Sequence, residues 1–371
     1  MQREGVIRVA ALKSRLGIQA VLTALVALLL LAMPGIPSPP LYVSLAGFAM
    51  AGILVASNTL SAYLKIFVSV YGVGYLVLAG AKTLAAMGAL PATVAALLPP
   101  DFAATGSVVF AAIVLAVSHW KPIREITLIA DPYFASHDAP SREVGMFRRF
   151  GRTEGQIGRN LVALSIFVNF ADVALTLRFN FFYRDMYNAL QEFDAPTFWY
   201  QLGYIFVPLA VLNVVIGMFD IYVDSGLQLR WRTWLTHNLY ERWLGEGTHY
   251  RIPFVDEHAD NPDQRIQSDV NNFIAQTTTL STRLLSQAAQ LVSFIVILWT
   301  LSRDFVLPFT DTVIPGFLVW LVIAYAVVGT WLTHLIGKPL IGLDYRQEQV
   351  EADFRFALAR NRIYSEQIAL L

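Results

Sequence analysis

The sequence contains no cysteine. Disulfides, thiolate metal sites and a cysteine nucleophile are therefore excluded. It is also poor in charge. Asp, Glu, Lys and Arg make up 15% of the 371 residues, against roughly 25% in a typical soluble domain. The 27 basic and 27 acidic residues cancel, so nothing global favours a nucleic-acid partner. The six histidines are scattered and form no H-E-x-x-H. The acidic stretch Asp256, Glu257, His258, Asp260 and Asp263 has the spacing of no known metal site and reads as a solvated loop. There is no G-x-x-x-x-G-K-S/T phosphate loop, since Gly337-Lys338 runs into Pro339. No catalytic residue, metal site or cofactor site is assigned to the chain.

Apolar residues are abundant instead, at 56% of the chain, with a mean hydropathy of +0.53. Crossing about 30 Å of hydrocarbon takes roughly 20 mostly apolar residues as a helix. Eight runs qualify: Leu16–Met33, Leu41–Thr59, Ala62–Ala81, Phe102–Trp120, Leu161–Phe182, Tyr200–Val223, Leu284–Leu301 and Pro315–Gly337. The expected fold class is an all-α integral membrane protein of about eight transmembrane helices. The first run is too long for a signal-peptide core and lacks a small-x-small cleavage site, so it reads as an uncleaved anchor.

Basic residues orient the spans. Arg3, Arg8, Lys13 and Arg15 precede the first run, and Lys121, Arg124, Arg142, Arg148, Arg149, Arg152 and Arg159 fall between the fourth and fifth. The stretch 224–283 and the tail from Lys338 are also basic. Eight spans with both ends cytoplasmic satisfy every loop. The chain divides into a leading four-span bundle (1–120), a cytoplasmic linker or elbow (121–160) and a second group of four spans (161–371). Asp131-Pro132-Tyr133 and Gly151, Gly155 and Gly158 make the linker a broken segment rather than one helix.

Helix length is the most telling signal. Asn261 suits a cap, Pro262 the first helical position and Gln264 a capping-box partner. No Pro or Gly follows until Pro308. A helix from Pro262 to about Leu301 is roughly 60 Å long, about twice the hydrocarbon thickness. Its first half is polar and projects into the cytoplasm. The preceding span likewise continues from Tyr200 to about Leu244. Two antiparallel helices thus extend beyond the bilayer, joined by a turn region at 245–261.

Around these helices the sequence is similar to a known family. The residues are Arg230-Trp231-Arg232-Thr233-Trp234-Leu235-Thr236, Arg242-Trp243-Leu244, His249-Tyr250-Arg251 and Asp260-Asn261-Pro262-Asp263-Gln264-Arg265-Ile266. Tyr183 to Gln191, Ile297-Leu298-Trp299, Gly337-Lys338-Pro339-Leu340 and Glu351 to Leu370 add to the match. They resemble the ABC transporter branch that holds the SbmA/BacA peptide-uptake proteins, their ATPase-bearing bacterial relatives and the subfamily D half-transporters. The resemblance covers about 125–371 and leaves the first four spans without a role. It implies that the last four spans are the first part of an ABC exporter transmembrane domain with long cytoplasmic helix extensions. It implies a coupling turn near 245–266, with Asn261, Pro262, Asp263, Gln264 and Arg265 against an ATPase. It also implies a second contact at Glu366 in an EAA-like segment, 351–371. The family core has six spans and most relatives then carry an ATPase domain. The chain is therefore expected to be a fragment of a larger transporter, or else a split subunit. ATP and Mg2+ are expected on an ATPase domain in cis or in trans, and the partner is a second copy of the chain.

Polar residues inside spans are costly and face a cavity or a partner helix. Asn169, Asp172, Thr176, Asn180 and Tyr183 lie on one face of the fifth span. Asn213, Gly217, Asp220 and Asp224 share a face of the sixth. Gln276, Thr279, Arg283, Gln287 and Gln290 share a face of the seventh. The candidate cavity lining is Asn169, Asp172, Thr176, Asn180, Gln287 and Gln290; interhelical hydrogen bonding is the competing reading. Arg178 reads as a snorkelling residue near the outer end. Arg230, Arg232 and Arg242 with Trp231, Trp234 and Trp243 read as an interfacial anchor rather than a nucleic-acid surface. The expected function is ATP-driven transport of a peptide-like, cobalamin-like or acyl substrate across a bacterial inner membrane. The alternatives are a proton-driven peptide carrier using Asp172, whose carboxyl would be desolvated, and a non-transporting scaffold.

Overall fold

In a computed structural model, the residues described are 2–32, 41–91, 102–247, 249–251, 262–303, 305 and 314–366. All regular structure among them is helical. In chain order the helices are α1 (Gln2–Ala32), α2 (Leu41–Ala56), α3 (Ala62–Ala86), α4 (Phe102–Val117) and α5 (Lys121–Phe134). Then come α6 (Glu154–Gln191), the short α7 (Ala195–Tyr200), α8 (Val207–Leu244), α9 (Pro262–Leu301) and α10 (Phe317–Ile363). A π-helical stretch, Gln201–Phe206, joins α7 to α8 without a break. The expected breaks and long extensions hold: α9 starts on Pro262 and runs 40 residues, and α8 reaches Leu244.

Among the described residues six helices are long and apolar enough to cross a membrane. A seventh is added if Thr105–Val117 and Lys121–Phe134, bent by 92°, form one span. Leu16–Leu31 is a shorter apolar helix. The protein is therefore a multi-pass, all-α membrane protein. The difference from eight equal spans is one of length. The apolar part of α1 is about 24 Å long at 1.5 Å per residue, short of the hydrocarbon thickness. Helix α4 spans only 16 residues before the chain turns sharply into α5.

The chain divides into two compact units, Met1–Ala289 and Gln290–Leu371. In the first unit α3 is central. Tyr63, Phe67, Tyr71, Tyr75 and Ala79 recur every four residues and are all buried, which is one helical face. The Tyr75 hydroxyl donates to the Val43 carbonyl at 2.8 Å, so it is buried without loss. Gly47 is required where α2 crosses this face. A Cβ there would sit 2.4 Å from the Tyr75 oxygen and 2.7 Å from the Ala27 Cβ. Gln19 of α1 exchanges hydrogen bonds with Ser69 of α3.

Caps set the helix starts. Ser61 accepts from the Leu64 amide at 3.1 Å, Thr153 from Gln156 at 3.3 Å and Asp194 from Thr197 at 3.2 Å. Gln156 reaches back to the Arg152 amide at 3.0 Å, a reciprocal pairing of the capping-box kind.

In the second unit α10 follows the end of α9. Gly316 adopts φ 71°, and a Cβ there would meet the Trp299 ring at 2.4 Å. Glycine meets both demands, the left-handed backbone and the close ring. Phe305 and Phe317 stack at 5.3 Å. Pro339 lies inside α10. Its Trp320, Tyr325, Trp331 and Ile336 are exposed within this chain, as expected of a helix whose apolar face meets lipid or another subunit.

Candidate functional site

The densest polar construction lies where α5, the linker after it, α6 and α8 converge. Helix α5 ends in a buried turn, Ala130, Tyr133 and Phe134. The chain then loops back so that Asp138 accepts from the Glu154 amide at 2.9 Å. Two glycines let α6 approach this closely. A Cβ on Gly155 would lie 2.5 Å from the Ser136 carbonyl and 2.9 Å from that of Tyr133. A Cβ on Gly158 would lie 2.5 Å from the Tyr133 ring. Arg159 donates to the Phe134 carbonyl.

Arg230 of α8 closes the joint. Its Nη1 donates to the carbonyls of Val144 at 2.7 Å and Met146 at 2.9 Å, and its Nη2 donates to Glu154 Oε2 at 3.1 Å. The side chains of Arg230 and Glu154 are 0% and 2% exposed. Glu154 Oε2 also accepts from the Ser141 amide at 3.0 Å. The buried charges are thus paired with each other and with the backbone, the condition for tolerating them. Above the pair, Trp231 stacks on Tyr133 at 5.7 Å and meets Phe134 at 5.0 Å and Phe273 of α9 at 5.9 Å. Trp234 donates to Asp138 Oδ2 at 2.7 Å.

This corrects one expectation. Arg230 and Trp231 are not interfacial anchors; both are fully buried. The reason is that this face of α8 turns inward against carbonyls of the linker, which no local pattern specifies. Arg232 and Arg242, on other faces, are exposed as expected.

The leading bundle joins the same cluster. Tyr63 lies 4.9 Å from Phe134 and 6.1 Å from Trp231, ring centre to ring centre. Its hydroxyl is 2.6 Å from Ser281 Oγ of α9, and its amide donates to Asp131 at 3.1 Å. Tyr71 meets Phe170 of α6 edge-on at 5.9 Å. Through α3 the leading bundle therefore touches α5, α6, α8 and α9. Sequence reasoning missed this, because Tyr63 reads as one more aromatic at the end of a span.

The candidate cavity residues are not alike. Asn169 Oδ1 accepts from Ser286 Oγ of α9 at 3.2 Å, and its amide donates to the Ser165 carbonyl. The space among Ile166, Asn169, Phe170, Thr282 and Ser286 is too tight for water. Asp172 and Thr176 are half-buried, while Asn180 and Gln287 are exposed. Gln290 belongs to the second unit and is half-buried there. Asp172 and Asp224 each lie close enough to Asp220 to repel it, so three carboxylates from α6 and α8 are neighbours. Asp224 accepts from Gln228 at 2.7 Å, and Gln228 reaches Thr278 of α9 at 3.4 Å.

Of the coupling candidates, Asn261 lies outside the described residues. Pro262, Asp263, Gln264 and Arg265 form the first turn of α9. Glu366 is exposed just beyond α10, and 367–371 are outside the described residues. Among the described residues no group of acidic or histidine side chains is arranged to hold a metal.

A set of apolar spans in which α8 and α9 are each longer than a bilayer crossing needs defines a multi-pass membrane protein with helices that extend beyond the bilayer. Comparison with known proteins makes this specific. The family described as ABC transporter transmembrane region 2 matches residues 150–371, and the chain belongs to it. ABC transporter D family member 2, chloroplastic, of Arabidopsis thaliana is 32% identical over 250 residues, 67% of this chain and 31% of that protein. The inner membrane ABC transporter ATP-binding protein YddA of Escherichia coli is 34% identical over 192 residues, 50% of this chain and 34% of that protein. The lysosomal cobalamin transporter ABCD4 of Mus musculus is 29% identical over 167 residues, 44% of this chain and 25% of that protein. The matches thus cover about a third or less of these relatives' length.

Proposed function

We propose that the chain forms the membrane-spanning part of an ATP-driven ABC transporter. It works as a dimer in a bacterial inner membrane, with both ends cytoplasmic. ATP and Mg2+ bind an ATPase domain supplied in cis or in trans. The reading rests on α8 and α9, continuous helices that carry polar residues well past the bilayer toward the 245–261 segment. Pro262 to Arg265 press on the ATPase, and Glu366 makes the second contact. ATP binding draws the ATPase domains together, and the stiff helices convey that movement to the polar stripe of α6. Asp172, Thr176 and Asn180 line the pathway, with Gln287 and a partner copy completing it. The substrate class is peptide-like, cobalamin-like or acyl. The test uses the transporter complete with its ATPase. Asp263→Ala with Arg265→Ala should abolish ATP-coupled uptake into vesicles while ATP binding persists. Undiminished coupled transport sinks the coupling role.

A second reading has its own observation. Asp220 of α8 stands near the carboxylates of Asp172 on α6 and of Asp224 one turn further along α8, a cluster through which a proton-driven carrier would load and release protons. Transport that survives ATP depletion but collapses with an uncoupler favours it, and Asp172→Asn should then stop transport. Transport indifferent to the uncoupler removes it.

A further inference from the structure

One face of α9 turns inward, and its chemistry changes along the helix. The earlier part is apolar: Val270 and Ile274 are buried, and Phe273 meets the buried Trp231 ring edge-on at 5.9 Å. From Thr277 onward the same face carries hydroxyls. Thr277, Thr278 and Ser286 are buried, and Ser281 and Thr282 are half-buried. Their steps of three and four residues keep them in line with Val270 and Ile274.

Three of these hydroxyls each meet a polar side chain from a different helix. Ser281 Oγ lies 2.6 Å from the Tyr63 hydroxyl of α3, Thr278 accepts from Gln228 of α8 at 3.4 Å, and Ser286 donates to Asn169 Oδ1 of α6 at 3.2 Å. Each also has an acceptor within α9. Thr278 donates to the Ile274 carbonyl at 2.8 Å, and Ser281 to that of Thr277 at 2.6 Å. Ser286 Oγ stands 2.9 Å from the Thr282 carbonyl, to which its proton can turn. Parting two polar groups is costly when one of them is left buried without a partner. On α9 the replacement acceptors are already in place. Gln228 likewise keeps Asp224 at 2.7 Å, and the Asn169 amide keeps the Ser165 carbonyl at 2.8 Å. The Tyr63 hydroxyl and Asn169 Oδ1 remain, and water entering a parted seam serves both. Thr282 also bonds back, to the Thr278 carbonyl at 2.8 Å. Such back-bonding in successive turns weakens and bends a helix.

We infer that α9 is a hinged strut. It pivots on its apolar contact at 270–274 and releases its hydroxyl face, 278–286, from α3, α6 and α8. Release widens the narrow space among Ile166, Asn169, Phe170, Thr282 and Ser286 and admits water to the α6 stripe. That this opens the pathway rests on the proposed transport reading. The release itself depends on packing alone, so it is measured without transport, and its failure leaves that reading standing.

The chain has no cysteine of its own, so introduced cysteines carry spin labels at chosen places only. One label pair, on Val73 of α3 and Leu284 of α9, spans the hydroxyl face; the other, on Arg232 of α8 and Asn272 of α9, spans the anchor. All four residues are exposed. Distances are read by pulsed electron paramagnetic resonance on the full chain in lipid nanodiscs. The hydroxyl pair should show a main distance and a longer minor one, and the anchor pair a single distance. S281A/S286A strands the Tyr63 hydroxyl and Asn169 Oδ1 while α9 is docked. The ratio of longer to shorter distance should therefore rise roughly tenfold, with the anchor pair unchanged. A hydroxyl-pair distance that S281A/S286A leaves unaltered overturns the hinge. Equal lengthening of both pairs in a folded variant overturns the pivot. Should melting show the double variant unfolded, Y63F, which removes one hydroxyl and keeps the ring, is read by the same pairs. An unaltered hydroxyl-pair distance there overturns the proposal.

Discussion

Arg230 Nε lies 3.1 Å from Glu154 Oε1, and neither side chain reaches solvent. Through this pair α8, the start of α6 and the linker backbone at 144–146 are held as one piece. It joins the first residue of α6 to the interior of α8, the two helices that frame the proposed pathway.

Removing one partner of such a pair should be severe. Arg230→Ala leaves Glu154 buried without its counter-charge and two carbonyls without a donor. A loss of about 3–5 kcal/mol is expected, because an uncompensated buried charge remains. The check is denaturation of the solubilised full chain. Replacing both residues together, Glu154→Leu with Arg230→Met, should cost clearly less than Arg230→Ala. Equal losses would show that packing, not charge, dominates here.

Glycines should divide sharply by position. Gly158→Ala forces a methyl onto the Tyr133 ring and should cost about 1–3 kcal/mol by overpacking. Gly217, also within a helix, has nothing within 4 Å of a Cβ. Gly217→Ala should be neutral or stabilise by roughly 0.5–1 kcal/mol through helix propensity. Melting of the two variants side by side tests this contrast.

Docking of the leading bundle should depend on Tyr63. Tyr63→Phe keeps the ring but loses the contact with Ser281, which should cost about 0.5–1.5 kcal/mol. Tyr63→Ala also empties the space among Phe134, Phe67 and Trp231 and should cost about 3–5 kcal/mol. Protease sensitivity of the linker should rise in the same order. A linker cut no faster in Tyr63→Ala would mean that other contacts hold the bundle.

The cap on α7 should respond to acid. The hydrogen bonds from Thr197 hold the exposed Asp194 carboxyl below its ordinary value. Its folded value is thus lower than its unfolded one. The stabilisation is complete above the unfolded value, about 3.9, and is lost as pH falls through the folded value. Hydrogen exchange at the start of α7 should quicken across that acidic window. Asp194→Ala should show the quick exchange at neutral pH and no further acid response.

Much of the architecture was legible in the residues. Apolar runs located six of the spans, with the first and fourth runs forming shorter helices, and Pro262 with the absence of breakers located the whole of α9. Asp131-Pro132-Tyr133 marked the end of α5 within a few residues. The candidate site was less legible. Asn169 reads as one member of a polar stripe, yet its partner Ser286 lies 117 positions away. The neighbourhood of Asp172 and Asp220 likewise depends on how α6 and α8 cross, which period and spacing within one helix leave open.

By itself the sequence determined that this protein lives in a membrane as helices, where the long α9 begins and ends, and which family it resembles. Those properties follow from local hydropathy, caps and breakers, which act within a few turns of the chain. Only the tertiary structure decided that Arg230 and Trp231 are interior residues, and that the leading bundle is fastened to the core through Tyr63. Burial is a property of which surfaces meet. An arginine followed by a tryptophan at a helix's polar end is written the same way whether it faces the head groups or two buried backbone carbonyls and a carboxylate.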